Sequence, residues 1–164
     1  MIPRKNLLLR AYWKMQRLPL AWFILVELIA MYVGSELLSR VGIAAEDAEL
    51  ESNLITTGIL AVFFAPLVET FAFQLLPIEL SQLLFRNKFK KRFYLLSIFI
   101  STALFSLIHC YNWQYMVVAF WVGFVFAFGY ITQMHKGYWK AFLPIFLVHT
   151  IWNAIATILS FIQQ

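Results

Sequence analysis

The stretch WKAFLPIFLVHTIWNAIATILSFIQ, residues 139–163, decides what kind of molecule this is. Apart from Lys140 at its start it carries no Lys, Arg, Asp or Glu. It runs apolar for long enough to cross a bilayer, which takes about 20 residues of helix. Working outward, four more segments read the same way, at roughly 18–39, 53–85, 93–110 and 113–134. The composition agrees, with 62% apolar and 13% charged residues, against about a quarter charged in ordinary soluble domains. Mean hydropathy is +0.77. A soluble domain of this length needs far more polar surface. The expected fold is an all-α integral membrane protein, one domain over residues 1–164 built as a bundle of about five transmembrane helices.

The charges set its expected orientation. Arg4, Lys5, Arg10, Lys14 and Arg17 precede the first span. Arg86, Lys88, Lys90, Lys91 and Arg92 separate the second from the third, and Lys136 and Lys140 separate the fourth from the fifth. The loop 41–52 holds Glu46, Asp47, Glu49 and Glu51 and no Lys or Arg. Basic loops stay cytoplasmic, so the N-terminus is expected in the cytoplasm and the C-terminus outside, as five spans require. The net charge of +5 thus sits in clusters that abut apolar runs, and these read as topology signals rather than as a nucleic-acid surface. The first apolar stretch carries Glu27 and Glu36 and exceeds a signal-peptide core, which predicts a retained helix. Residues 53–85 as one helix would reach about 50 Å, and Pro66 and Pro77 predict kinks within it. Trp13, Trp22, Trp113 and Trp139 fall near span ends, where an interfacial belt belongs. The single cysteine, Cys110, excludes an intramolecular disulfide.

In such a chain the informative residues are ionisable side chains at membrane depth, because they are costly there and mark function or a buried pair. They are Glu27, Glu36, Glu69, Glu79, His109 and His149; His135, beside Lys136, reads as a solvated loop residue. Taken singly, each has a structural explanation. Glu69 can be a neutral carboxyl bonded to a carbonyl, and His109 can close a helix end. His149 and Asn153, four apart on one helix face, can be inter-helix glue. Taken together, one carboxylate and two imidazoles on three different helices suffice to activate a water by general base catalysis. His149 and Asn153 could then donate to the oxyanion that forms. The same three groups could instead hold a zinc ion, with a water in the fourth position. Cys110 points about 100° away from His109 on a helix, which argues against cysteine chemistry. Neither a Gly-x-Ser-x-Gly nor a His-Glu-x-x-His pattern occurs.

Three motifs in order carry a resemblance. Members of the CAAX-protease and bacteriocin-processing (Abi) family, which includes the type II CAAX prenyl endopeptidases, show EExxxR, FxxxH and HxxxN on successive helices. This sequence is similar at Glu69–Gln74, Phe105–His109 and His149–Asn153, over roughly residues 60–155. The resemblance implies an intramembrane endopeptidase of glutamic type without a cofactor. Glu69 would be its catalytic glutamate, His109 would help activate water, and His149 and Asn153 would support the oxyanion. Phe73 and Phe105 would be supporting residues. It implies a membrane-associated substrate (a prenylated tail, a leader peptide or a membrane anchor) and a bacterial cytoplasmic membrane as location.

The first motif departs from the pattern, with Thr70 in place of the second glutamate and Gln74 in place of the arginine. The two losses cancel in charge and leave no unpaired buried ion. Thr70 and Gln74, at i and i+4, can still hydrogen-bond at the spacing of the ion pair. The altered motif also admits a non-catalytic relative acting as an immunity protein, a chaperone or a subunit of a membrane complex. A small transporter with Glu69 as its proton site is a third reading. The protease reading carries a geometric requirement: Glu69 must stand level with His109, which holds if the second segment crosses as about 62–84.

Overall fold

The computed structural model describes residues 7–44, 58–89 and 93–162. The acids Glu46, Asp47, Glu49 and Glu51 and the basic residues Arg4, Lys5, Lys90, Lys91 and Arg92 lie outside the described residues. Every described element is helical. They are α1 (Leu7–Met15), α2 (Leu20–Arg40), a composite α3 (60–89), α4 (Phe93–Ile108), α5 (Trp113–Gln133) and α6 (Tyr138–Ile162). Four stretches are long and apolar enough to cross a membrane: Leu20–Arg40, Leu60–Phe85, Trp113–Lys136 and Tyr138–Ile162. α4 is the shorter apolar helix that completes the expected five. The protein is an integral membrane helical bundle, and its helix ends fall close to the boundaries read from hydropathy.

One helix was not anticipated. α1 covers the basic N-terminal region, with Arg10, Trp13 and Lys14 exposed. Its last residue is tied down, since Met15 is buried and its carbonyl accepts from Gln133 Nε2 at 3.3 Å. The polar residues of α1 conceal it from a hydropathy reading, because only a narrow face meets the bundle.

The α5 helix forms the centre of the bundle. Ala119, Gly123 and Ala127 stand four apart and give it a small-residue seam, the device by which membrane helices approach closely without a hydrophobic driving force between them. A Cβ on Gly123 would lie 2.9 Å from the Phe105 ring of α4. On the opposite side, a Cβ on Gly129 would lie 2.8 Å from Glu27 Oε1 of α2. The missing side chains are therefore what admits Phe105 and Glu27 into the interior. Trp121 adds a polar tie, donating from Nε1 to Ala30 O of α2 at 3.1 Å. At the start of α5, Asn112 caps the helix by accepting from Tyr115 N at 2.7 Å. After α5 a three-residue 3-10 turn, Met134–Lys136, leads into Gly137, whose φ of +103° reverses the chain into α6.

The α5 seam yields a stability prediction. Gly123→Val should force the Phe105 ring out of its seat and destabilise the bundle by about 1–3 kcal/mol. Denaturant unfolding in detergent micelles measures it; an unchanged midpoint would mean that α4 does not depend on this seam.

Candidate active site

Glu69 closes a short α-helical stretch, Ala65–Glu69, between two π-helical stretches, Leu60–Phe64 and Thr70–Leu75. Such turns widen the helix to i→i+5 bonding and frequently occur at functional sites. Here two prolines explain where they fall. The Ala65 N–H reaches back to Leu60 O. The next rung of that ladder would run from residue 66 to Ala61 O, and Pro66 has no N–H to make it. Asn153 of α6 supplies the missing donor, with Nδ2 at 2.9 Å from Ala61 O. Pro77 repeats the arrangement. The carbonyl four residues before it, Phe73 O, accepts from the Ser101 hydroxyl of α4. Apolar surroundings require that freed backbone groups find partners on neighbouring helices. The expected kinks at Pro66 and Pro77 thus take the form of π turns, cross-linked to the helices that carry His149 and His109.

His109 sits in the turn just past α4, its N–H donating to Ser106 O at 3.1 Å. Its Nδ1 lies 2.7 Å from Phe105 O. A carbonyl can only accept, so Nδ1 carries the proton and Nε2 is directed to Glu69 Oε2, 3.6 Å away. Tyr115 stacks on the ring with centroids 5.8 Å apart and planes at 17°. His149, one helix over, places its own Nε2 3.6 Å from the same oxygen, Glu69 Oε2. Its Nδ1 lies 3.2 Å from Thr70 Oγ1. Phe126 and Phe105 flank that ring, at 4.6 and 5.8 Å between centroids. Side-chain exposure separates the roles: Glu69 keeps 21% and His109 16%, whereas His149 keeps 3%. The carboxylate and one imidazole open onto a cavity of about 550 Å³, and the second imidazole forms its polar floor.

The three residues singled out from the sequence therefore converge, and the second segment stands in the register that brings Glu69 level with His109. Phe105 lies at the centre of the cluster, against His109 at 4.5 Å and edge-on to Phe73 at 6.4 Å. Asn153 reaches the cavity, but its amide nitrogen is engaged with Ala61 O. A Thr70–Gln74 hydrogen bond does not form. Thr70 pairs with His149, and Gln74 is fully buried with neither amide atom partnered. The reason is tertiary: the Thr70 hydroxyl is engaged by His149 of a neighbouring helix. Glu27 and Glu79 lie elsewhere. Glu27 is buried on α2, and Glu79 accepts from Tyr130 OH at 2.9 Å, which ties α3 to α5. Cys110 is exposed and does not line the cavity.

Sequence reasoning missed Tyr115 and Phe126, the rings that hold the two imidazoles. The small-residue spacing on α5 was the one available signal for the aromatic packing. Glu69, His109 and His149 supply donor types that zinc accepts. Among the described residues, however, no group of three His, Cys, Asp or Glu side chains is spaced to hold an ion.

An all-helical membrane bundle in which a carboxylate and two imidazoles meet at one cavity defines the class: a membrane protein with an ionisable cluster among its helices. The family follows from comparison. The family model described as "Type II CAAX prenyl endopeptidase Rce1-like" matches residues 51–155, most of the chain, and the chain belongs to that family. No curated protein and no solved structure matches it.

The proline arrangement makes a testable claim. Asn153→Ala should destabilise the bundle by about 0.5–1.5 kcal/mol, the range for a hydrogen bond between membrane helices. In a Pro66→Ala background, where residue 66 regains its N–H, the same change should be nearly neutral. A double-mutant cycle of unfolding free energies reads the coupling, and additive penalties would show that Asn153 does not replace the bond Pro66 lacks.

Proposed function

We propose that this protein is an intramembrane endopeptidase in which Glu69 is the general base, acting on a peptide bond of a membrane-associated substrate. The observation that carries the reading is the shared position of Glu69 Oε2, 3.6 Å from both His109 Nε2 and His149 Nε2, at the wall of a cavity. That spacing is too long for direct hydrogen bonds. A water about 2.8 Å from Oε2 and from His109 Nε2 fits at their common apex. In the proposed reaction Glu69 takes a proton from this water while the oxygen attacks the scissile carbonyl carbon. The carbonyl oxygen becomes an oxyanion. Glu69 then passes the proton to the amide nitrogen, the C–N bond breaks, and a carboxylic acid and an amine leave, the acid giving its proton to the amine to form carboxylate and ammonium.

The two imidazoles divide the work by tautomer. Phe105 O holds the proton of His109 on Nδ1, so the Nε2 lone pair is free to accept from the water. If the Thr70 hydroxyl donates to His149 Nδ1, the proton of that ring sits on Nε2, where it can donate to the oxyanion. In this reading Thr70, the residue that departs from the family motif, sets the second tautomer. Asn153 acts by holding the π turn ahead of Glu69, and its second amide hydrogen remains available to the oxyanion. The substrates that fit the family are prenylated tails, leader peptides or membrane anchors. A bacterial cytoplasmic membrane, with the N-terminus inside, fits the charge pattern.

Glu69→Gln and His109→Ala should each reduce cleavage by about 100-fold or more with the fold retained. The assay is cleavage of a membrane-anchored peptide library by protein in liposomes, and full activity in either variant would refute the mechanism. A folded wild type that cleaves none of the library would point to a non-catalytic member of the family. Thr70→Val should lower kcat roughly tenfold by leaving His149 Nδ1 unpaired, and Thr70→Ser should retain it. Cleavage should survive chelators. Loss on chelation with recovery on added zinc would replace the carboxylate mechanism by a metal one.

A further inference from the structure

The wall of the cavity opposite Glu69 comes from α2, which precedes the region that the family model matches. Tyr32, Ser35, Glu36 and Ser39 line it, at positions i, i+3, i+4 and i+7, a single stripe along one helical face. Another face of the same helix exposes Val26, Val33 and Leu37, as a lipid-facing helix does. A polar stripe on such a helix is costly unless something hydrogen-bonds to it. Ser35 makes the point, because its Oγ is enclosed and has no partner among the described residues. Charge adds a second constraint. Among the described residues that line the cavity there is no Lys or Arg, whereas Glu36 and Glu69 are both present. Arg40 pairs with Glu36 at 3.0 Å, but their side chains are 72% and 42% exposed, so the pair is weak and readily exchanged.

We propose that α2 is the substrate-selecting wall of the site: the hydroxyls of Tyr32, Ser35 and Ser39 bind the backbone of the substrate peptide, and Glu36 receives a Lys or Arg side chain that flanks the bond presented to Glu69. The choice of substrate class rests on the proteolytic reading above. A peptide with an acidic side chain at that position meets Glu36 and Glu69 and is disfavoured. Arg40 competes with the substrate for Glu36. The specificity of the site thus comes from a helix outside the family region, laid across the groups that α3, α4 and α6 bring together.

The test uses the full chain with Glu69→Gln, to stop turnover, in nanodiscs of neutral phosphatidylcholine. The probes are acyl-anchored fluorescent peptides that differ only in one Lys, Gln or Glu, with that residue scanned along the peptide. At one or two positions the Lys peptide should bind about fivefold more tightly than the Glu peptide, the size of one partly exposed ion pair. Added salt should shrink the difference. Glu36→Gln should abolish the preference, Glu36→Lys should reverse it, and Arg40→Gln should enlarge it. Equal binding of all peptides, or an order unchanged in Glu36→Lys, overturns the proposal. With Glu69 intact, the Lys peptide should show a lower KM at similar kcat than the Gln peptide. Lys-selective binding without cleavage would leave the wall standing and refute the proteolytic reading instead.

Discussion

A proline inside a membrane helix leaves a carbonyl without a donor, and hydrocarbon cannot supply one. The arrangement of this protein follows from how that constraint is met twice on one helix. Pro66 and Pro77 bracket Glu69, and the carbonyls of Ala61 and Phe73 are satisfied by Asn153 and Ser101 from the two helices that bring the histidines. Backbone satisfaction and site assembly are therefore one event. The π turns on either side of Glu69 are held open by the same bonds that fix the height of α3 against α4 and α6.

The second constraint is packing around polar rings. A neutral imidazole in an apolar bundle needs its orientation set, since either nitrogen can carry the proton. Phe105 does this by its carbonyl for His109 and by its ring for both histidines. Gly123 admits that ring against α5. A glycine on one helix thereby contributes to the chemistry presented by three others. The length of α4 matters in the same way. Its 16 residues rise about 24 Å, short of the ~30 Å hydrocarbon core, so the residue just past its end can sit within the membrane rather than at its surface.

The departure of the first motif from the family pattern acquires a physical meaning in this frame. A glutamate and an arginine at positions 70 and 74 would need each other's charge. Thr70 instead bonds the imidazole of His149, and Gln74 lies in the interior as a neutral amide. The site keeps its carboxylate and both imidazoles while losing a buried ion pair, whose removal as a pair need not reduce stability. Among the described residues, the lining of the cavity carries Glu36 and Glu69 and no Lys or Arg.

Much of this was legible in the residues. Membrane insertion, helix number and span boundaries follow from hydropathy and length, because lipid imposes an apolar surface on every spanning helix. Glu69, His109 and His149 stood out because ionisable groups are rare in such a setting. The spacing of His149 and Asn153 was equally readable. Other features were not. The Thr70–Gln74 pairing does not form because the Thr70 hydroxyl meets His149, which another helix brings. The role of Asn153 depended on which carbonyl lay opposite it. The α1 helix was hidden by its polar residues, and the polar stripe of α2 had no evident partner until the cavity appeared. The sequence by itself determined which groups lie in the membrane, since transfer from water to lipid acts on each residue separately. Only the tertiary structure decided which of them meet, since distance, tautomer and helix register are set jointly by contacts between helices.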